Sequence, residues 1–157
     1  MDFFYAYSTD PKAEQEGREF DWGGGIKLKI ARAHNATYSR LLASQYEANK
    51  HILDQKETAE DQAAAEACSN KIMAYVMARS ILLGWTGPVV FKGQPLPYSV
   101  ANAEMLLSIK DFQSEVAKKA GDFRNYRVEQ EVADEKNSPA TSDGTSNGAP
   151  SSDTSSN

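Results

Sequence analysis

Cysteine, histidine and long apolar runs are scarce in this chain, and each scarcity excludes a class of protein. One residue of 157 is cysteine, Cys68, which excludes an internal disulfide framework and fits a reducing compartment. On an apolar helical face, Cys68 reads as a buried structural thiol rather than a nucleophile. The two histidines, His34 and His51, have no cysteine or histidine at ligand spacing. His51 and Asp54 stand at i and i+3, but a zinc site takes three or four ligands, so no metal is expected. The longest apolar run, Ile81-Leu82-Leu83-Gly84-Trp85, falls far short of the ~20 residues a membrane helix needs. Met1-Asp2-Phe3-Phe4-Tyr5 has no basic flank, so no secretory leader is expected, and the cytoplasm is the expected location.

Catalytic patterns are missing too. There is no G-x-S-x-G and no H-E-x-x-H, and Gly23-Gly24-Gly25 precedes a strand where phosphate-binding glycines follow one. Glu14, Glu16 and Glu19 read as a solvated acidic run. The expectation is a protein that is not an enzyme and takes no cofactor. A net charge of −5 repels phosphate backbones, which argues against general nucleic-acid binding.

What is present is helical periodicity. Asn35 reads as a helix cap, and Tyr38, Leu41, Leu42, Tyr46 and Leu53 recur at spacings of three and four, predicting a helix over 36–53. Thr58 caps a second helix expected to run to Leu83, with Glu60 and Asp61 favourably placed in its first turn. Ser99 opens a short third helix. A fourth, carrying Phe112, Val116, Ala120 and Phe123, is expected from about Asp111 to about Val132. Ile26-Lys27-Leu28-Lys29-Ile30 alternates with period two and reads as a strand, paired through the glycines with Phe20-Asp21-Trp22. Val89–Leu96 is either a short hairpin or a packed loop.

The expected fold is therefore mainly α: one helical domain over 1–136, of about four helices with a short N-terminal β-hairpin. Residues 137–157 hold seven Ser, three Thr and three Asn and no aromatic, branched aliphatic or basic residue. Such a segment cannot offset an ordering cost of ~1–2 kcal/mol per residue, so a disordered tail is expected.

Between Gly23 and Tyr46 the charged residues are Lys27, Lys29, Arg32 and Arg40, with no acid. Two readings stand: lysines that protect an exposed strand edge, or a basic docking surface for an acidic partner. Trp85, Tyr98, Phe112 and Phe123 read as structural anchors, large apolar groups of which Trp85 also carries a donor that needs a partner.

Three stretches carry a resemblance. They are Lys27–Tyr38, a basic strand leading through Asn35 into a helix; Ala78–Gly87, containing Leu82-Leu83-Gly84-Trp85; and Gly93–Leu107, containing Pro97-Tyr98-Ser99-Val100-Ala101-Asn102-Ala103, followed by Asp111-Phe112 and Asp122-Phe123-Arg124. Together, from Phe20 to about Arg127, the chain resembles the tail assembly chaperones of long-tailed bacteriophages. The resemblance implies a protein that binds and solubilises the tape-measure protein and helps recruit tail tube subunits. It implies self-association as a further contact, absence from the finished virion, and in some members a frameshifted longer form. The rival readings are a structural minor tail or head–tail completion protein, an enzyme working through carboxylates alone, and a binder of a host protein.

Overall fold

The computed structural model describes residues 1–128. These fall into two units, Thr9–Tyr126 and a smaller one made of Met1–Ser8 with Arg127 and Val128. The smaller unit holds a single helical turn, α1 (Phe3–Ala6), capped where the Asp2 carboxylate accepts the Phe4 N–H at 2.9 Å. The Ser8 hydroxyl closes the turn by donating to the Phe4 carbonyl.

The larger unit opens with α2 (Pro11–Glu16). Asp10 caps it by accepting the Lys12 N–H, and Pro11 stands at the first helical position, where its missing N–H costs nothing. Gly17 ends it at φ 88°, where a Cβ would stand 3.1 Å from the Ile30 backbone. Then come β1 (Arg18–Gly23) and β2 (Ile26–Ile30), antiparallel, with Glu19 opposite Lys29, Phe20 opposite Leu28 and Asp21 opposite Lys27.

A helical hairpin follows, α3 (Ala36–Leu53) and α4 (Ala59–Ser80). Asn35 caps α3 by accepting the Tyr38 N–H at 3.0 Å, while its amide group donates to the carbonyls of Arg32 and Ser80. One side chain thus joins the end of β2, the start of α3 and the end of α4. Thr58 and Asp61 form a reciprocal capping box at the start of α4.

The chain then departs from the expected helical course. Rather than continuing to Leu83, α4 stops at Ser80, and β3 (Leu82–Thr86) pairs antiparallel with β2, Leu82 opposite Ile30 and Trp85 opposite Leu28. A two-strand ribbon follows, β4 (Val90–Phe91) with β5 (Gln94–Pro95), turned through Lys92 and Gly93, both at positive φ as a tight primed turn requires. The expectation of a mainly α fold with one hairpin is therefore corrected to a mixed α/β fold. Its principal sheet has three strands in the order β1-β2-β3, accompanied by the β4–β5 ribbon. The physical reason is that a short apolar run such as Ile81-Leu82-Leu83 has no period of its own and follows whichever partner buries it. Here that partner is β2.

The remainder is α5 (Val100–Leu107), capped where Ser99 Oγ accepts the Asn102 N–H, and α6 (Lys110–Gly121). The last helix is shorter than its apolar stripe predicts. It ends at Gly121, where Asp122 accepts the Arg124 backbone N–H and guanidinium and organises a 3-10 turn over Phe123–Tyr126. Those bonds from Arg124 hold the Asp122 carboxyl below the usual carboxylate range. The expected helical extension is thus overturned as far as Val128, and its remainder to Val132 and the expected disordered tail over 137–157 lie outside the described residues.

One face of the three-stranded sheet, through Leu28, Ile30 and Leu82, meets Val76 and Met77 of α4, Leu107 of α5 and Val116 of α6 in a single core. Tyr126 is fully buried and donates its hydroxyl to the Ile30 carbonyl at 3.0 Å. Burial pushes that hydroxyl far above the ordinary tyrosine value. Gly87, at φ 96°, lies so close to the glycine turn that a Cβ would stand 2.2 Å from the Gly25 carbonyl oxygen.

Candidate polypeptide-binding surfaces

The four basic residues that stand together in sequence are separated by the fold. Lys27 and Lys29 lie on the solvent face of β2, directly across from Asp21 and Glu19 of β1. Because β2 is the middle strand, these lysines do not guard a sheet edge. Arg32 is half-buried and bonds Glu14 at 2.7 Å, with Thr9 bridging to the same carboxylate group at 2.6 Å. Arg40 is exposed on α3. The acids that answer this basic stretch come from earlier in the chain and are brought to it by strand pairing and by α2.

The four aromatic anchors divide in a similar way. Trp85 and Tyr98 pack edge to face at 5.1 Å, the indole N–H donating to the Leu96 carbonyl at 2.9 Å. The Tyr98 hydroxyl donates to the Leu82 carbonyl, so this pair clamps the 89–98 segment against β3. Phe112 instead meets Trp22 of β1 at 6.0 Å, and Phe123 is half-buried in the 3-10 turn. Trp85, Tyr98 and Phe112 all pack against the one core, through two separate ring pairs.

Other side chains with chemical interest are accounted for locally. Arg79 lies over the Tyr75 ring at 3.5 Å and bonds Glu104 at 2.7 Å, linking α4 to α5. Cys68 is half-buried against the core. His34, at φ 62°, packs its ring edge to face on Tyr38. Among the described residues no group of three or more His, Cys, Asp or Glu is arranged to hold a metal, and no helix is long and apolar enough to cross a membrane. Among the open grooves of the surface are two of interest. One, of about 540 Å³, lies between α3 and α4 beside Tyr46, Leu53 and Ala65. The other, of about 450 Å³, lies beside β1 and α6.

Sequence reasoning assigned no role to the most exposed aromatic cluster. In Met1–Ser8, Phe3 is 68% and Phe4 74% exposed, and Tyr5 and Tyr7 are exposed as well. Phe3 stacks on Tyr7 with centroids 6.0 Å apart, and Phe4 meets Tyr5 edge on. The signal was available: four aromatics within five positions, with no apolar periodicity around them to place them in a core.

Taken together, these features define a small mixed α/β protein whose aromatic side chains divide between a closed core and an open N-terminal cluster. The chain belongs to the YdaY prophage protein family, whose model matches residues 33–137. It is thus a phage-related protein. No curated protein and no solved structure matches it.

Proposed function

We propose that this prophage protein is a non-enzymatic tail assembly chaperone. In this role it binds the tape-measure protein in the host bacterial cytoplasm, keeps it soluble, helps recruit the major tail tube protein, and is left out of the finished virion. It works without nucleic acid, membrane or cofactor. Two things support the reading: the resemblance carried by Lys27–Tyr38, Ala78–Gly87 and Gly93–Leu107, and the exposed cluster Phe3, Phe4 and Tyr5. The cluster is the observation that carries it. Aromatic side chains gathered and exposed in this way form the kind of patch that marks an interaction site, and phenylalanine and tyrosine offer large contact areas at low entropy cost. Amphipathic helices of a long client would lay their apolar faces on this cluster. Many copies along one client would give avidity from weak single contacts.

The test is co-expression with the tape-measure protein of the same prophage. The intact chain should bring that protein into the soluble fraction, and the double variant Phe3→Ser, Phe4→Ser should not. Recovery of the tape-measure protein unchanged by the variant, or absent with both, counts against the role. Mass spectrometry of purified virions separates the rival: a minor tail or head–tail completion protein would be found there in fixed stoichiometry.

A further inference from the structure

Strand β1 ends the sheet on one side among the described residues, so its outer row of backbone groups faces away from β2. Glu19 and Asp21 are exposed on the solvent face, whereas Arg18, paired with Asp10, and Phe20 and Trp22 are half-buried on the other, with Trp22 against Phe112 of α6. Beside this edge runs the 450 Å³ groove, bordered by Asp21, Trp22, Glu115, Asp122 and the last-turn lysines Lys118 and Lys119.

We infer that the β1 edge is a docking site for an extended polypeptide strand alternating basic and apolar residues. The charge pattern selects that occupant. Both solvent-face charges of β1 are acidic, and on its inner side β2 answers them with Lys29 opposite Glu19 and Lys27 opposite Asp21. An incoming strand with lysine or arginine at alternate positions repeats that arrangement on the outer side, where opposite charges directly across a ladder are favourable. Its intervening apolar residues then fall on the face that carries Phe20 and Trp22. β2 itself, Ile26-Lys27-Leu28-Lys29-Ile30, shows what fits. A second copy of β1 does not fit: antiparallel pairing of two copies about Glu19, Phe20 or Asp21 sets acid opposite acid, which disfavours self-pairing. Added-strand binding of this kind draws affinity from main-chain hydrogen bonds and selectivity from alternate side chains. The inference does not depend on the N-terminal aromatic cluster.

The experiment titrates a synthetic seven-residue peptide alternating lysine with isoleucine and leucine into the isotopically labelled full chain. Amide chemical shifts are followed by NMR. Expected are saturable shifts centred on Glu19–Gly23, and affinity about ten-fold lower when glutamate replaces the peptide lysines. A peptide with central proline, which cannot complete the ladder, should not bind. The double variant Glu19→Gln, Asp21→Asn keeps an acceptor for the Gly23 N–H that Asp21 now accepts at 2.9 Å. It should retain the native spectrum while binding the lysine peptide about ten-fold less tightly. Shifts centred elsewhere, equal affinity for the lysine and glutamate peptides, undiminished binding by the double variant, or no binding would each overturn the inference. The full chain with Phe3→Ser and Phe4→Ser should bind the peptide as before, which keeps this result separate from the chaperone test.

Discussion

The unit Thr9–Tyr126 and the segment Met1–Ser8 use the same kind of side chain to opposite ends. In the larger unit the rings packed on the core are paired: Phe20 tilts on Tyr126, Trp22 meets Phe112, and Trp85 meets Tyr98 with its N–H satisfied. In the segment Phe3, Phe4 and Tyr5 keep more than half of their surface exposed. Burial of apolar area is what stabilises a fold, so the first set carries stability, and the second leaves its binding energy available to another molecule.

Substitutions sharpen this contrast, and their effects on unfolding free energy should fall in a clear order. Leu82→Ala removes a fully buried side chain where β3 meets β2, and should cost about 2–5 kcal/mol in urea denaturation. Gly87→Ala should cost about 1–3 kcal/mol from its positive φ, and more from the approach to Gly25. Tyr126→Phe leaves the buried Ile30 carbonyl without its donor and should cost about 1–3 kcal/mol.

The same tyrosine gives a pH test. Its folded-state value is raised above the ordinary 10.0 by burial, so the folded state holds the proton more tightly than the unfolded chain does. Its contribution is fully present below the ordinary value and is lost as pH rises above it. Denaturation series above that pH should therefore fall less steeply for Tyr126→Phe than for the unaltered chain. Arg32→Gln breaks a half-exposed pair with Glu14 and should cost about 1 kcal/mol or less, shrinking further in high salt. At the bottom of the order, Phe3→Ser with Phe4→Ser should change stability by no more than about 0.5 kcal/mol. A larger loss in a thermal melt would mean that these rings belong to the fold after all, and the contrast would fail.

The helices were readable because their ends are chemically marked. Asn35 before Tyr38, Thr58 before Asp61 and Ser99 before Asn102 each supply a side-chain acceptor for a free backbone donor, and each does so in the structure. The β1–β2 pairing was readable for a related reason, since alternation and a glycine turn are local. What was not legible was non-local. The third strand, Leu82–Thr86, looks like the tail of an alanine-rich helix until β2 is placed beside it. The basic run from Lys27 to Arg40 looks like a positive surface until strand register brings Glu19 and Asp21 across from two of its members and α2 brings Glu14 to a third. Linear charge clustering says little when the opposing charges are contributed by another element. The short α6 shows the same limit: apolar residues continue past Gly121, and the stop comes from the Asp122–Arg124 contact.

The placement of the α3–α4 hairpin between two neighbouring strands also sets an order of events. β2 and β3 are joined by roughly fifty residues of intervening chain, so their ladder closes a long loop whose entropy must be met before the contacts reward it. On the ribosome, β1 and β2 emerge as a bare two-stranded ribbon, marginal by itself, and wait for both helices to be synthesised before the third strand arrives. Sheet completion is thus a late event in the life of each new molecule, and a stalled or truncated chain ending before Leu82 would present the open flank of β2 to any strand nearby.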